Sequence, residues 1–182
     1  MKRIISLRTR FFFTGEGQNE QSLVKWYQRL CDQQGLHVHL DYEPLDGGGY
    51  KKMLEETIRL REKNERETAE KTFLLVDEDR ALRRDDPWSI ETLKRESKRE
   101  DIIVCVQCPN IEGFFLRLFP KKESLNPSPQ DVDRLLKKEW SDYSKRVDAD
   151  TIGKKFTLKD LLRLAKADPD LEAFLSILGL KK

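Results

Sequence analysis

The chain of 182 residues is long enough for one domain with a sizeable core, and its 35 Lys and Arg against 33 Asp and Glu leave a net charge of only +2. That balance excludes nucleic-acid binding by bulk charge and confines any such contact to a local patch. Three cysteines, Cys31, Cys105 and Cys108, form an odd set that reads as reduced thiols of a cytosolic protein, and Cys105 with Cys108 lacks the second pair a zinc knuckle needs. The basic N-terminus lacks the apolar stretch and cleavage site of a signal peptide, and no run approaches the ~20 apolar residues of a membrane span. The expectation is a soluble, cytoplasmic protein without membrane association.

In chain order, the first signal is RFFFTGEGQNE, Arg10 to Glu20. An apolar strand stops at glycines that flank a carboxylate, Glu16, and let the backbone turn sharply. Leu23, Val24, Tyr27, Leu30 and Cys31 then recur at helical spacing until Gly35. In LHVHLDY, residues Leu36, Val38, Leu40 and Tyr42 alternate with His37, His39 and Asp41, the pattern of a half-buried edge strand, and such an edge permits a homodimer through the sheet. DGGG (Asp46 to Gly49) leads into a helix carrying Met53, Leu54 and Ile58. Phe73 to Val76 reads as a central strand covered on both faces and ends in Asp77, Glu78 and Asp79; PWSIETLKRESK reads as a helix with Pro87 in its first turn; Ile102 to Val106 reads as a fourth strand, also fully buried. Alternating strands and helices predict an α/β fold with a mainly parallel four-stranded sheet flanked by helices.

After Pro120 the chain turns polar and proline-rich (KKESLNPSPQ) and shows no further strand. Helix starts at Ser128, Thr157 and Asp168 predict three helices, the last closed by Gly179. The division expected is an α/β domain over 1–120 and a helical C-terminal extension over 121–182 packed on it, since about sixty residues make a thin core alone.

In open parallel sheets, functional groups collect beyond the carboxyl ends of the strands. The first strand delivers Glu16 there and the third delivers Asp77 and Asp79, which an extended chain would point to one side with Glu78 facing away. Crowded carboxylates repel unless a proton is shared or a cation neutralises them, and hard oxygen ligands suit Mg²⁺, with Mn²⁺ as a substitute. Each acid also has a plain structural reading: Glu16, Glu20 and Glu112 suit the positive end of a helix dipole. Gly48 in DGGG either cradles a phosphate or only turns the chain; Arg80, Arg83 and Arg84 either hold phosphates or form a solvated loop. His37 and His39 sit on the solvent face of the edge strand, and Lys145 with Tyr143 either reaches the site from the helical tail or is ordinary surface.

GEGQNE resembles the Glu-Gly-x-Thr-Glu opening of TOPRIM domains, especially those of RloB-like proteins and related OLD-type nucleases, with Asn19 where threonine is common. LLVDEDR is similar to the TOPRIM Asp-x-Asp motif, and QCPNIEGFFLRLF resembles the RloB-type Asn-Pro-Cys-Phe-Glu stretch through Pro109 and Glu112, with Leu118 where that stretch commonly carries histidine. DYSKR (Asp142 to Arg146) is similar to a Tyr-x-Lys element of some relatives. The resemblance covers roughly Arg10 to Phe119. It implies a Rossmann-like TOPRIM fold in which Glu16 is a general acid/base or metal ligand, Asp77 and Asp79 hold Mg²⁺, Glu20 is an outer ligand and Glu112 completes the site. The implied activity is metal-dependent hydrolysis of DNA or RNA phosphodiester bonds in prokaryotic phage defence, restriction or repair. The alternative is a non-catalytic nucleic-acid-binding or regulatory subunit of a defence complex with a partner ATPase.

Overall fold

The computed structural model describes residues 8–63, 68–79 and 87–181. Among them the chain alternates β1 (Thr9–Gly15), α1 (Gln18–Gln33), β2 (Val38–Pro44), α2 (Tyr50–Lys63), β3 (Lys71–Asp77), α3 (Ile90–Arg99) and β4 (Ile102–Gln107). Five further helices follow: α4 (Ile111–Arg117), α5 (Pro129–Glu139), α6 (Ala149–Lys155), α7 (Leu158–Ala165) and α8 (Pro169–Ile177). The four strands form one parallel sheet in the order β2-β1-β3-β4. The fold is therefore α/β, a four-stranded all-parallel sheet flanked by helices, consistent with a Rossmann-like arrangement.

Register decides what each face carries. Phe13 of β1 pairs with Phe73 of β3, and Leu75 of β3 with Cys105 of β4. Successive side chains alternate across a strand, so Phe11, Phe13, Phe73 and Leu75 lie together on one face against Leu23, Tyr27 and Leu30 of α1. Leu74 and Val76 face the other way, against Met53 and Leu54 of α2 and Leu93 of α3. There Thr14 of β1 shares a 2.8 Å hydroxyl hydrogen bond with Thr57 of α2. Helices thus cover both faces, and β3 is buried along its middle, as its apolar run predicts.

The C-terminal helices join the first of these cores. Phe174 of α8 meets Phe73 edge-on at 5.2 Å and Phe13 at 6.1 Å, while Phe13 and Phe73 stack at 4.7 Å. Trp140 and Phe156 close on Phe115 of α4 at 6.0 and 6.4 Å. Arg117 pairs with Asp168 at 2.9 Å and Arg163 with Glu123 at 2.6 Å, which ties the segment after α4 to α7 and α8.

Four sequence expectations are corrected. β4 is the second edge strand, with Ile103 to Val106 half-buried rather than fully buried; a continuous apolar run does not reveal that, among the described residues, no fifth strand pairs with it. Pro87 precedes the first turn of α3, because Ser89 caps that helix by accepting from the Thr92 N–H at 3.2 Å. Four helices, not three, follow the polar segment; α6 is short and begins at Asp148, which accepts from the Thr151 N–H at 2.7 Å. Finally, β3 stops at Asp77 and residues 78–79 turn as a 3-10 segment, so extended-chain alternation does not place Asp79. The edge position of β2 is as expected, with Val38 and Leu40 buried and His39 exposed.

Candidate functional site

Four carboxylates gather beyond the carboxyl ends of β1, β3 and β4. Asp77 ends β3; Glu20 stands in the first turn of α1 and Glu112 in that of α4; Asp79 lies in the 3-10 turn after β3. Burial pushes the Asp77 carboxyl up to about 8, and repulsion from Glu20, Asp79 and Glu112 adds to this, against a smaller opposing pull from the Ile111 backbone N–H. Its Oδ1 is buried with no hydrogen-bond partner. Glu20, only 7% exposed, is raised too, by burial first, and Glu112 adds repulsion.

Glu20 has a structural task as well. Its carboxylate turns back on the start of its own helix, where backbone N–H groups of Glu20 and Gly17 pull its pKa down against burial. This is the reciprocal half of a capping box. Gly17 caps the helix without a side chain, and a Cβ there would meet Glu20 Oε2 at 2.6 Å. The dipole reading of Glu20 and its place among the site acids therefore hold together.

The connection from β4 to α4 positions the other acids. Asp79 N donates to Pro109 O at 2.8 Å, which locks the end of β3 to the end of β4. Asn110 caps α4: its Oδ1 accepts from the Gly113 N–H at 3.1 Å while its Nδ2 donates to Asp79 Oδ2 at 3.3 Å. A Cβ at Gly113 would fall 2.3 Å from the Cys108 carbonyl oxygen, so only glycine allows α4 to start this close to β4. Tyr143, from the segment between α5 and α6, donates its hydroxyl to Glu112 Oε1 at 3.0 Å. Burial and the Glu112 charge both hold the Tyr143 hydroxyl protonated. Glu78 accepts from the Cys108 thiol at 2.5 Å. A groove of about 510 Å³ opens beside Asp79, walled by Pro109, Asn126 and the Ser89 end of α3.

Glu16 stands apart from this group. It follows the last residue of β1 in a bend, whereas Asp77 is the last residue of β3 and continues the parity of Leu75, which faces α1. Its Oε1 lies 3.6 Å from where a Cβ of Gly47 would stand, and it is not among the charges that raise Asp77. The structure therefore unites Asp77, Asp79, Glu20 and Glu112, and places Glu16 against the loop before α2. Gly48, in that loop with φ +122°, packs on the Lys52 side chain, where an added Cβ would stand 2.7 Å from Lys52 Cδ. Lys145 is exposed and pairs with Asp133 at 3.1 Å; Asp133 first and the Glu112 charge after it push its pKa up, but Tyr143 is the residue that contacts Glu112. Arg80, Arg83 and Arg84 lie outside the described residues. His39 Nε2 sits 3.0 Å from Asp41 Oδ1 on the exposed edge strand, away from these acids.

One participant escapes the sequence reading: Gln107, a polar residue closing an apolar strand, is visible there but unread. Tyr143, read with Lys145 as a Tyr-x-Lys element, is the member of that pair that touches a site acid. As placed, no three His, Cys, Asp or Glu side chains among the described residues are grouped closely enough to hold a metal ion. The charge pattern nonetheless suits a hard cation, because one compensating positive charge would relieve both the repulsion at Asp77 and its partnerless Oδ1. Mg²⁺ commonly uses one or two carboxylates with waters and substrate phosphate completing its shell. Comparison of the chain with protein-family models, with curated proteins and with solved structures finds no match.

Proposed function

We propose that the protein is a Mg²⁺-dependent nuclease of the TOPRIM class, hydrolysing phosphodiester bonds of DNA or RNA. The observation that carries this reading is the gathering of Asp77, Asp79, Glu20 and Glu112 around a carboxyl pushed to about 8. Asp77 and Glu112 are the ligands the site offers, with Asp79 and Glu20 beside them, and Mn²⁺ suits the same oxygens. A bound divalent ion would polarise the scissile phosphate and lower the pKa of an attacking water.

The chain's own groups prepare for this. Asp77 holds a proton at neutral pH while no cation is present, and releases it when positive charge arrives. Tyr143 fixes Glu112 through one oxygen and leaves the other available. Asn110 orients Asp79. Glu16, against Gly47 in the loop before α2, is not one of the ligands in this reading.

A second reading, a nucleic-acid-binding or regulatory subunit working with a partner ATPase in phage defence, is supported by the backbone engagement of Glu20, which gives that acid a purpose without catalysis. Labelled single- and double-stranded DNA and RNA, incubated with Mg²⁺, Mn²⁺ or EDTA, separate the two. Cleavage of at least one substrate only with metal, abolished in Asp77→Ala, supports the nuclease. Binding without cleavage under every condition, or equal cutting by the variant, rejects it.

A further inference from the structure

On the face of the sheet that carries Asp77, a cavity of about 250 Å³ lies between β4, α1, α4 and α8. Tyr27, Leu75, Phe114 and Phe174 form its apolar walls, and Gln107 lines it at the end of β4. Gln107 is 4% exposed, and both its amide oxygen and its amide nitrogen are buried with no hydrogen-bond partner. Leaving buried polar groups unpaired costs stability, a burden that a ligand completing those bonds would remove. Gln107 also pairs in register with Asp77. Neighbouring strands run roughly 4.8 Å apart with paired side chains on one face, so the cavity adjoins the carboxylates.

We propose that this cavity receives the nucleobase of a nucleotide flanking the scissile phosphate, with Gln107 reading its hydrogen-bonding edge; the identity of the occupant rests on the nuclease reading. A primary amide presents a donor and an acceptor side by side, the complement of the paired groups on a base edge. Aromatic and aliphatic walls suit a flat ring. Size decides the class: a cavity of about 150 Å³ holds benzene, while drug-sized ligands take roughly 300–1,000 Å³, so this space fits one or two fused rings and little more. Lys94 of α3 and Asp170 of α8, both lining the cavity, pair at 2.8 Å with largely exposed side chains. An exposed pair of this kind holds weakly and parts readily to admit a base that has left its stack.

The test uses metal-free full-length protein titrated separately with adenosine, cytidine, guanosine and uridine, and with indole as an apolar control. Binding is followed by NMR, from the Gln107 side-chain amide in wild type and from the methyl groups of the lining residues Leu75 and Val106 in both wild type and variant. The expected result is saturable movement of that amide with at least one nucleoside, and at least tenfold weaker nucleoside binding in Gln107→Leu, whose apolar side chain fits the cavity and keeps the fold. No response to any nucleoside at millimolar concentration overturns the proposal even if metal-dependent cleavage is intact, in which case the nuclease reading stands without it. Equal nucleoside affinity in Gln107→Leu also overturns it, as does indole binding no weaker than every nucleoside. Nucleoside binding that depends on Gln107, in a protein that cleaves nothing, upholds the cavity and removes the nuclease.

Discussion

Replacing Asp77 with asparagine should make the metal-free protein more stable at neutral pH. The Asp77 carboxyl has an ordinary pKa of 3.8 and is pushed to about 8 in the folded chain. The folded state therefore binds this proton more tightly than the unfolded chain. Stability is unaffected below about pH 4, falls as pH rises through the window between the two values, and levels off above about 8. At pH 7 the full penalty would be about 4 kcal/mol, at 1.36 kcal/mol per pH unit. Relaxation of the site and the new amide's own unmet bonds reduce the gain to about 2 kcal/mol, or a rise in Tm of roughly 5 °C for a chain of this length. Thermal unfolding of wild type and Asp77→Asn in EDTA, from pH 4 to 9, isolates the effect as a difference. Near pH 4, where Asp77 is protonated in wild type, the variant should be equal or slightly lower in Tm, and it should gain steadily on wild type to stand higher by about pH 8. Adding Mg²⁺ should raise wild type and leave the variant unchanged. A variant no more stable than wild type at pH 7–8, or a difference independent of pH, would refute the reasoning that Asp77 sits buried among like charges.

Gly113→Ala should cost more than about 2 kcal/mol, because the added Cβ meets backbone at 2.3 Å, and chemical denaturation reads the loss directly. Tyr143→Phe removes the hydroxyl that donates to Glu112 and should cost about 1 kcal/mol of stability while lowering metal-dependent cleavage; unchanged cleavage would detach Tyr143 from the site. Phe174→Ala opens the aromatic cluster with Phe13, Tyr27 and Phe73 and should cost about 3–5 kcal/mol. Its unfolding should remain a single transition by calorimetry, because the C-terminal helices share a core with the sheet. Lys145→Ala, which breaks an exposed pair with Asp133, should change stability by less than about 1 kcal/mol.

Local chemistry and periodicity made most of the elements legible. The apolar runs of β1 and β3, the alternation in β2, and the caps at Ser128, Thr157 and Asp168 are each set by residues within a few positions of one another. The acids Asp77, Asp79, Glu20 and Glu112 were likewise readable as candidates, since strand ends and first helical turns announce themselves. The helix α6 was missed because it is two turns long, and a short helix held by a single aspartate cap leaves little periodicity to detect.

Amino-acid order by itself determined an alternating α/β chain with acids at its strand ends, because backbone preferences and hydrophobic spacing act over a few residues. Tertiary structure alone decided which acids meet. The register that sets Phe13 beside Phe73 puts Asp77 on the α1 face, and the bend after β1 leaves Glu16 against Gly47 in the loop before α2. Tyr143 reaches Glu112 across 31 residues, and Gln107 comes to stand beside Asp77, only because strand pairing and helix packing bury hydrophobic area that no local segment can bury alone.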